Sequence, residues 1–446
     1  MVQEKFECIN PNAAGIDIGS SEHWVCVPPQ RTSENVRRFG CFTPDLMTMV
    51  QWLLDCKVDT VAMEATGVYW IPTYQILEAK GIKVILVNAH HVKTVPGRKS
   101  DVLDCQWLQK LHTYGLLSGS FRPENNICVL RSYIRQRETL IKSATTHVQR
   151  MQKALIMMNL QLHKVITDIT GVTGMAIIRS IIKGERNPQK LASLKDRRIK
   201  STEKEIADAL SGDYRKEHLF VLEQELKLYE IYQQEIAQCD QQIEECLKEF
   251  PSQTSEPPPP RKGKKRRKSK GNEPVFNLHG HLYRLTGVDF TQIDGLNVLG
   301  VQTIISEIGL DPSKFPTVKH FCSWLGLSPG SRISGGKSKS SATRKVVNRA
   351  ANAFRLAAQS LSRSQSALGA FFRRIKSRLG APKAITATAH KLARIFYLIW
   401  TRKFSYADPG VDYYEQKYQQ RLLKNLQRNA HNLGFELVKQ TQPTPS

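Results

Sequence analysis

The spacing of apolar residues over the first ~120 positions predicts an α/β domain. Short apolar or alternating runs indicate strands, and apolar residues that recur every three or four positions indicate helices. The predicted strands are Ala14–Ile18, His23–Val27, Val36–Phe42, Thr60–Ala65 and Lys83–Asn88; the predicted helices are Pro44–Cys56, Tyr69–Ala79 and a segment from Ser100 to about Leu117. Three strands followed by helix, strand, helix, strand and helix form an α/β order.

A seven-residue spacing of apolar side chains then predicts two long helices between about residues 128 and 250. The first series is Ile134, Ile141, Val148, Leu155 and Leu162; the second is Leu222, Tyr229, Ile236, Ile243 and Phe250, with Tyr232, Cys239 and Cys246 three residues behind it. Such seams are typical of a coiled coil. Gly171 and Gly174 lie between the two series, which suits an interrupted antiparallel arm. Pairing within one chain and pairing between chains remain equal alternatives.

The second half of the chain divides into a linker, a mostly helical domain and a tail. The linker contains PSQTSEPPPP and then RKGKKRRKSK, in which eight of ten residues are basic. That run is either a solvated segment or, as we favour, an electrostatic contact to nucleic acid. The predicted divisions are an α/β domain 1–125, a helical arm 126–250, a linker 251–275, a helical domain 276–420 and a polar tail 421–446.

Two glycine turns precede amphipathic helices in these regions. Gly295 and Gly300 precede VQTIISEIG, and ITGVTGMAIIRSII has a similar pattern. Both resemble a helix-hairpin-helix, in which backbone amides at a helix N-terminus face a phosphate. A plain helix–turn–helix packing unit explains either one equally well.

The charge distribution indicates a nucleic-acid partner. The net charge is +25, and the segment from Pro312 to Ala407 has 19 Lys and Arg but no Asp or Glu. Uninterrupted positive charge over so long a segment favours binding to a polyanion such as a nucleic acid. No apolar run is long enough for a transmembrane helix or a signal peptide, so we expect no membrane association and a cytoplasmic location. The nine scattered cysteines suit reduced thiols better than disulfides or a zinc site.

Four carboxylates lie where a metal site can form. Asp17 ends the first strand, Glu64 ends a later one, and Asp101 and Asp104 lie on one face of a first helical turn. Oxygen ligands gathered at one sheet edge would hold Mg²⁺ or Mn²⁺ for phosphodiester chemistry. Taken singly, Asp17 is also explained as a turn residue before Gly19, and the two helical aspartates by the helix dipole. Glu64 is harder to explain in that way because it follows a buried run.

A serine motif downstream is a second candidate, in LGLSPGSRISGGKSKSS. The glycines permit close approach to a phosphate, Lys337 and Lys339 supply charge, and a serine hydroxyl can attack a phosphodiester. A loop that only binds phosphate is the simpler explanation from spacing. Spacing does not choose among Ser328, Ser331, Ser334, Ser338, Ser340 and Ser341.

Basic side chains surround this motif and suit contacts to a nucleic-acid backbone. A predicted helix Thr343–Leu361 follows the motif. The candidate contact residues are Lys337, Lys339, Arg344, Lys345, Arg349, Arg355, Arg373 and Arg374, the last two in a cluster with Lys376 and Arg378.

The segments GIDIGSSEHWVCV, VAMEATGVYW, GRKSDVLDCQWLQKL and WLGLSPGSRISGGKSKSS, in this order, resemble the DEDD-type insertion-sequence transposases. This is the insertion-sequence one-ten family, which includes the Piv-like DNA invertases. The resemblance implies a RuvC-like RNase H fold with Asp17, Glu64, Asp101 and Asp104 as metal ligands. It also implies that Ser334 is the nucleophile, which reverses the preference from spacing alone.

The resemblance further implies partners and an assembly. These are donor and target double-stranded DNA, a noncoding guide RNA that pairs with both, and dimers that the helical arm assembles into a tetramer. The protein would act at the bacterial nucleoid.

The sequence therefore predicts a transposase of a mobile element that cuts and rejoins DNA. One alternative is a Holliday-junction-type nuclease that uses water as nucleophile on the same acidic site. Another is a non-catalytic nucleic-acid-binding protein. An actin-like ATPase, suggested by the loop-like GIDIGS, lacks a convincing second phosphate motif.

Overall fold

A computed structural model describes residues 7–88, 101–260, 272–330, 332–340, 342–344 and 346–438. Within these ranges, the side chains of Asp101, Arg332, Ile333 and residues 337–339 are outside the description. The basic run 261–270, Ser331, Ser341 and Lys345 also lie outside the described residues. The chain forms two compact units, Met1–Arg122 and Pro123–Ser446, which we describe separately.

The first unit is a five-stranded mixed sheet with flanking helices. Its elements are β1 (Ala13–Ile18), β2 (Glu22–Cys26), β3 (Val36–Gly40), α1 (Thr43–Asp55), β4 (Thr60–Glu64), α2 (Trp70–Ala79), β5 (Lys83–Val87) and α3 (Asp101–Thr113). The strand order is β3-β2-β1-β4-β5. The first three strands pair antiparallel, and β4 and β5 add in parallel. The predicted α/β domain is thereby confirmed.

One apolar layer holds the sheet against α1 and α2. Alternate side chains of the strands and one face of each helix are buried in it; they include Ile16, Val25, Val61, Met63, Leu46, Met49, Leu53 and Leu77. Strands β1 and β4 are central and buried on both sides, which explains why AAGIDI and TVAME are nearly continuous apolar runs.

The second unit is mostly helical, as predicted. Its helices are α4 (Asn125–Met157), α5 (Leu162–Val165), α6 (Val172–Ile182), α7 (Pro188–Ala192), α8 (Glu203–Ala209), α9 (Lys216–Glu249), α10 (Leu278–Thr286), α11 (Val298–Ile308), α12 (Val318–Trp324), α13 (Arg349–Ser360), α14 (Ala367–Leu379), α15 (Ala381–Arg402) and α16 (Gly410–Asn432). A hairpin of β6 (Arg332–Ser334) and β7 (Lys337–Ser340) lies between α12 and α13. None of the described helices is long and apolar enough to cross a membrane.

The two long helices, α4 and α9, pack on each other within the chain. The Arg137 guanidinium donates to the Asp240 carboxylate, and both side chains are buried. The His147 ring stacks on Tyr232, and its Nδ1 lies 2.6 Å from Glu225 Oε2. Residues later in α4 contact residues earlier in α9, so the two helices are antiparallel. Supercoiling and pairing between chains stay predictions.

A small helical subdomain, α5 to α8, closes the end of this arm. It shares one core with the ends of α4 and α9, built from Leu155, Leu162, Ile177, Ile178, Leu191, Ile206 and Leu222, among others. The second apolar series of the sequence thus begins inside this core. The arm is therefore a hairpin of helices with its own hydrophobic end.

The C-terminal part of the second unit has an aromatic core. The rings of Phe290 and Phe396 stack at a centroid distance of 3.9 Å, and Phe321 lies 6.4 Å from Phe354 and 6.3 Å from Trp400. These five residues are each at most 1% exposed. The helical segments that carry these five residues are thereby held as one packed body.

A buried contact between a histidine and an aspartate fixes the start of this body. His279 Nε2 lies 3.0 Å from Asp289 Oδ1, and Asp289 also accepts hydrogen bonds from Thr291 and Gln292. Burial alone raises the pKa of Asp289, but these hydrogen bonds outweigh it and hold the pKa at about 2. The carboxylate is therefore ionised at neutral pH and clamps two adjacent turns.

Three local expectations differ from the structure. The predicted helix 343–361 begins only at Arg349, because Asn348 caps it by accepting a hydrogen bond from the Ala351 amide. The hairpin β6–β7 was not expected. The predicted polar tail after Gln420 continues as helix α16 to Asn432.

The described part of the linker is tied to its neighbours. The Gln253 amide donates to the Arg284 carbonyl at 2.8 Å. The Arg284 guanidinium donates back to the Phe250 carbonyl at 2.9 Å and to Ser252 Oγ at 2.7 Å. The first residues after α9 are therefore held against α10 by hydrogen bonds.

Candidate active site

Asp17 and Glu64 lie side by side at one end of the sheet. β1 and β4 are parallel neighbours whose last paired residues are Ile16 and Met63. Asp17 and Glu64 follow one position later on each strand. In a parallel pair, residues at matching positions direct their side chains to the same face. The two carboxylates therefore belong to one face of the sheet at its carboxyl end.

Helix α3 runs antiparallel to β1 on this face. The Ile9 amide donates to the Thr113 carbonyl at 3.0 Å, and Gln109 Nε2 donates to the Ala13 carbonyl at 3.3 Å. The C-terminal end of α3 is thus at the start of β1. Its N-terminal turn is consequently at the end of β1, near Asp17.

Gly15 determines how close α3 comes to β1. A Cβ atom at this position would lie 2.9 Å from Leu108 Cβ and still closer to backbone atoms of Cys105 and Gln109. Only glycine fits there without moving the helix. Sequence reasoning missed this role, although a glycine inside an apolar strand is a known sign of close backbone approach.

Two thiols, Cys26 on β2 and Cys105 on the N-terminal half of α3, lie near Asp17. Cys26 pairs with Gly15 across β1 and β2, and both Cys26 and Cys105 are buried. A hydrogen bond to Cys26, together with burial, raises the pKa of Cys105, and the negative charge of Asp17 adds to the effect. Asp17 is therefore near Cys105, and Asp101 precedes Cys105 by one helical turn on the same face.

The far end of α3 is anchored by a buried polar contact. His112 Nε2 lies 2.9 Å from Thr60 Oγ1, and both residues are buried. Burial lowers the pKa of His112, with a smaller contribution from Lys83. The imidazole is therefore neutral at pH 7 and holds α3 against β4.

The carboxylates at this edge are of the ligand type that a hard divalent cation binds. Asp17 and Asp104 are partly exposed, and Glu64 is 8% exposed at the end of β4. All are oxygen donors, which Mg²⁺ and Mn²⁺ prefer. Asp101 begins α3, with its side chain outside the description. Among the side chains that are described, no three His, Cys, Asp or Glu lie close enough together to form a metal group.

Ser334 lies at the tip of the β6–β7 hairpin. It pairs with Lys337 across a two-residue turn of Gly335 and Gly336, whose φ angles are +56° and +72°. Positive φ at both positions defines a type I′ turn, which glycine accepts without strain. A Cβ at either glycine would meet no atom within 4 Å, so backbone conformation and not space requires glycine here.

The base of this hairpin is fastened to the helical body. The Gly330 amide donates to the Ala342 carbonyl at 2.9 Å. The Arg344 guanidinium donates to the carbonyl and hydroxyl of Ser323 in α12, at 2.7 and 2.8 Å. Arg344 thus holds the hairpin in place, whatever else it contacts. The serine segment is a short β structure and not the loop that spacing allowed.

The described serines of the motif differ in their surroundings. Ser334 is exposed, whereas Ser328 and Ser340 are partly buried. Ser340 Oγ accepts a hydrogen bond from the Ala342 amide at 3.2 Å. Of these three hydroxyls, that of Ser334 has the most open approach for a large substrate.

Some of the basic side chains predicted to contact nucleic acid are bound to other groups of this chain, and others are partly exposed. Arg349 forms an ion pair with Glu138 of α4. Arg373 donates to the Ser364 carbonyl, and the Arg374 guanidinium pairs with Glu415. Arg355 is partly exposed on α13. The side chains of Lys337 and Lys339 are outside the description, as is Lys345.

Arg374 joins α14 to α16 through contacts with two side chains of α16. Its Cζ lies 3.4 Å from the centroid of the Tyr418 ring, in addition to the pair with Glu415. Lys376 and Arg378, which follow on α14, are exposed. These two side chains present the positive charge of α14 to solvent.

The two glycine turns each border a groove. The first, of about 800 Å³, is lined by the start of α11 and by Arg349 and Lys142. There the Asn297 side chain accepts a hydrogen bond from the Gly300 amide at 2.7 Å, so one of the helix-end amides is satisfied internally. The second, of about 670 Å³, is lined by the start of α6, Arg198 and Lys200. Phosphate binding at either turn stays a prediction.

Two segments of the chain match models of known protein families. A family model described as a transposase, of the DEDD IS110 type, matches residues 14–159. A model described as "Transposase IS116/IS110/IS902 family" matches residues 289–373. Comparison with curated proteins gives no match.

The two matches contain both candidate sites. The first includes the four carboxylates, and the second includes Ser334 and the start of α14. Together they cover just over half of the 446 residues. The chain therefore belongs to the IS110 family of transposases, enzymes that break and rejoin DNA by phosphoryl transfer.

Proposed function

We propose that this transposase uses a metal-bound carboxylate site and a serine nucleophile, and that a noncoding RNA guides it. The observation that most supports the proposal is the meeting of three elements at one sheet edge. β1 ends near Asp17, β4 ends at Glu64, and α3 begins with Asp101 and Asp104. We further propose that the first unit is an RuvC-like RNase H fold, since three antiparallel strands are followed by two parallel ones with acids on β1 and β4.

In this proposal, Asp17, Glu64, Asp101 and Asp104 hold Mg²⁺ or Mn²⁺. A metal bound by these carboxylates would supply positive charge to polarise a phosphate oxygen and to stabilise the leaving oxygen. The chain itself sets the positions of the carboxylates. The β1–β4 register aligns the first two, and Gly15 lets α3 approach closely enough to bring its first turn to them.

Ser334 is the proposed nucleophile. Its Oγ forms a phosphoester bond with the scissile phosphorus, and the bond from phosphorus to one deoxyribose oxygen breaks. That oxygen takes up a proton and leaves as a hydroxyl, while the Ser334 proton passes to a base or to water. Attack by the hydroxyl of a second strand reverses these steps and reseals DNA without an external energy source.

The basic C-terminal helices supply the proposed nucleic-acid interface. The segment 312–407 has no acid, and Lys376 and Arg378 are exposed on α14. Such contacts position a backbone but carry no sequence information. A guide RNA that pairs with donor and target DNA would supply it, as in other RNA-guided systems. We propose that dimers assembling into a tetramer carry out the reaction, in the bacterial cytoplasm at the nucleoid.

A covalent-adduct assay tests this function. Purified protein is incubated with element-end DNA and co-purified RNA, with Mg²⁺ or with EDTA, and resolved on a denaturing gel. We expect a Mg²⁺-dependent protein–DNA adduct that disappears in Ser334→Ala and in Asp17→Asn. Matched controls are Ser340→Ala, whose hydroxyl serves the hairpin, and Asp59→Asn, just before the opposite end of β4.

The remaining outcomes separate the alternatives. Cleaved DNA without an adduct would indicate a nuclease that uses water and would leave Ser334 a phosphate-binding role. DNA binding that survives loss of all four carboxylates, with no cleavage by the wild type, would indicate a non-catalytic binder. If mixed Ser334→Ala and Asp17→Asn proteins regain the adduct, the two sites act between subunits.

A further inference from the structure

Helix α4 is fastened to α11 and α13 at two places along its first half. The Arg131 guanidinium donates to the Glu307 carbonyl at 3.1 Å, and that of Arg135 donates to the Glu307 carboxylate at 2.7 Å. Further along α4, Glu138 forms an ion pair with Arg349 at the start of α13. The space between these three helices is therefore held in shape by contacts on both sides.

A pocket of about 230 Å³ lies in this space, between α4 and α11. Its apolar walls are Ile134 and Ile141 of α4 and Leu299 of α11. Gln302 and Thr303 follow Leu299 by three and four positions, so they line the pocket from the same face of α11. One water molecule takes up about 30 Å³ in the liquid, so the pocket has room for a flat ring.

Gln302 brings a buried hydrogen-bond donor to this pocket. The residue is 5% exposed, and its Nε2 atom is buried without a hydrogen-bond partner. Other polar groups of the lining are already bound: Arg137 pairs with Asp240, and Thr303 Oγ1 donates to the Leu299 carbonyl at 3.0 Å. A buried donor without an acceptor destabilises a fold and therefore requires an explanation. A ligand with an acceptor at its edge would supply the missing partner.

A groove with groups that suit an anion opens beside the pocket. This groove of about 800 Å³ shares Glu138, Lys142, Leu299 and Thr303 with the pocket and reaches the start of α11. Lys142 is exposed on α4. The first backbone amides of an α-helix have no partner within the helix, and they favour a phosphate. An apolar pocket with a polar edge therefore adjoins a place for a phosphate.

We propose that the pocket and the groove together bind one unpaired nucleotide of a nucleic-acid strand. The base enters the pocket, with its ring against Ile134, Ile141 and Leu299 and its edge at Gln302. The neighbouring phosphate lies in the groove against Lys142 and the first turn of α11. Rotation about the last side-chain bond of a glutamine exchanges its amide nitrogen and oxygen, so the site accepts more than one base. The proposal rests on the nucleic-acid partner proposed above and is independent of the metal and serine chemistry.

The variant Gln302→Leu separates this role from a structural one. Leucine has nearly the volume of glutamine and removes the unused donor, so the free protein should melt at an unchanged or higher temperature. A glutamine that stabilised the fold would give a lower melting temperature, which would overturn the proposal. Gln359→Leu is the matched control, since Gln359 is exposed on α13 and lies outside the linings of the pocket and the groove.

Photo-cross-linking of the full-length protein without Mg²⁺ measures binding at the pocket. The probes are single-stranded tetranucleotides of DNA with one 4-thiothymidine, or of RNA with one 4-thiouridine, and mass spectrometry identifies the cross-linked peptides. We expect cross-links within residues 134–142 or 299–303. Relative to cross-links elsewhere on the chain, Gln302→Leu should lower their yield roughly three- to tenfold, the effect of one lost hydrogen bond, and Gln359→Leu should not.

Competition identifies the base and the phosphate as the bound groups. An unlabelled tetranucleotide should displace the probe from these peptides, and an abasic one with the same phosphates should not. Lys142→Gln should reduce the slope of log binding constant against log salt at this site by up to about 0.7. Equal competition by the abasic strand, no cross-links in the two segments, or an unchanged yield in Gln302→Leu would each overturn the proposal. The DNA and RNA probes decide which strand supplies the nucleotide, and neither requires Ser334, so failure here is distinguishable from failure of the adduct assay.

Discussion

Replacing Gly15 by alanine tests whether the approach of α3 to β1 sets the acidic site. The added Cβ would lie 2.9 Å from Leu108 Cβ. Carbon atoms in contact normally stay about 3.5–4.0 Å apart, so the overlap is about 0.6–1 Å. The contacts with Cys105 and Gln109 are with backbone atoms, which cannot rotate away. The helix must therefore retreat by about 1 Å.

The size of the effect follows from two opposing contributions. Overpacking of this kind costs about 1–3 kcal/mol. Alanine also restricts the unfolded chain, which stabilises by about 0.4–1 kcal/mol and does not cancel the cost. We expect a net loss of roughly 1–2 kcal/mol in the first unit, together with a fall in cleavage rate of about a hundredfold, because a displacement near 1 Å at a reacting geometry costs that much.

Hydrogen exchange read by mass spectrometry measures the stability of β1 and α3 within the full chain. A loss of 1–2 kcal/mol corresponds to exchange that is faster by a factor of about 5–30. DNA cleavage is measured on the same preparation. Gly119→Ala is the control: its Cβ would lie 3.2 Å from the Ile85 Cγ2 methyl group and would touch no backbone atom within 4 Å, so a shift of a few tenths of an ångström relieves it. If Gly15→Ala behaved like this control in both assays, the close approach would not position the site.

Three further predictions concern the second unit. Arg137→Met should cost about 3–5 kcal/mol in urea unfolding, since it leaves a buried carboxylate unpaired, and adding Asp240→Leu should recover most of the loss. Asp289→Asn should lower the free energy of unfolding by roughly 2 kcal/mol at neutral pH, because the folded state holds the pKa of Asp289 at about 2 instead of 3.8. In the wild type this stabilisation is present above about pH 4 and is lost as the pH falls from about 4 to 2. If the variant lost stability with acid in the same way as the wild type, the prediction would be contradicted. Lys376→Gln with Arg378→Gln should reduce the slope of log binding constant against log salt by up to about 1.8 for duplex DNA; an unchanged slope would exclude phosphate contacts there.

The sequence was sufficient for the α/β order because its signals are local. β1 and β4 are nearly continuous apolar runs, and parallel central strands require that pattern. Asp17 and Glu64 were placed at strand ends by the same runs. The proximity of these ends follows from the β1–β4 register, which depends on the crossover of α1 and not on either motif alone.

Contacts between distant segments left no comparable signal. Nothing near Arg374 in sequence indicates that Glu415 and Tyr418, more than 40 positions later, hold its guanidinium. Composition also concealed α16, whose polar residues resemble a frayed tail. The hairpin did have a signal: two glycines between RIS and KSKS fit a type I′ turn, but the surrounding helices drew the interpretation toward a loop.

The arm shows that the regions between the family matches are structurally necessary to the matched ones. All of α4 lies within the first match, which ends at residue 159, whereas α9 lies outside both. Yet Asp240 of α9 neutralises the buried Arg137 of α4, and Leu222 packs in the core that closes the arm. A chain shortened to the matched segments would expose the apolar side of α4 and leave the Arg137 guanidinium without its carboxylate. The arm therefore folds as one hairpin from two separated segments, so changes in its length must occur in both helices together.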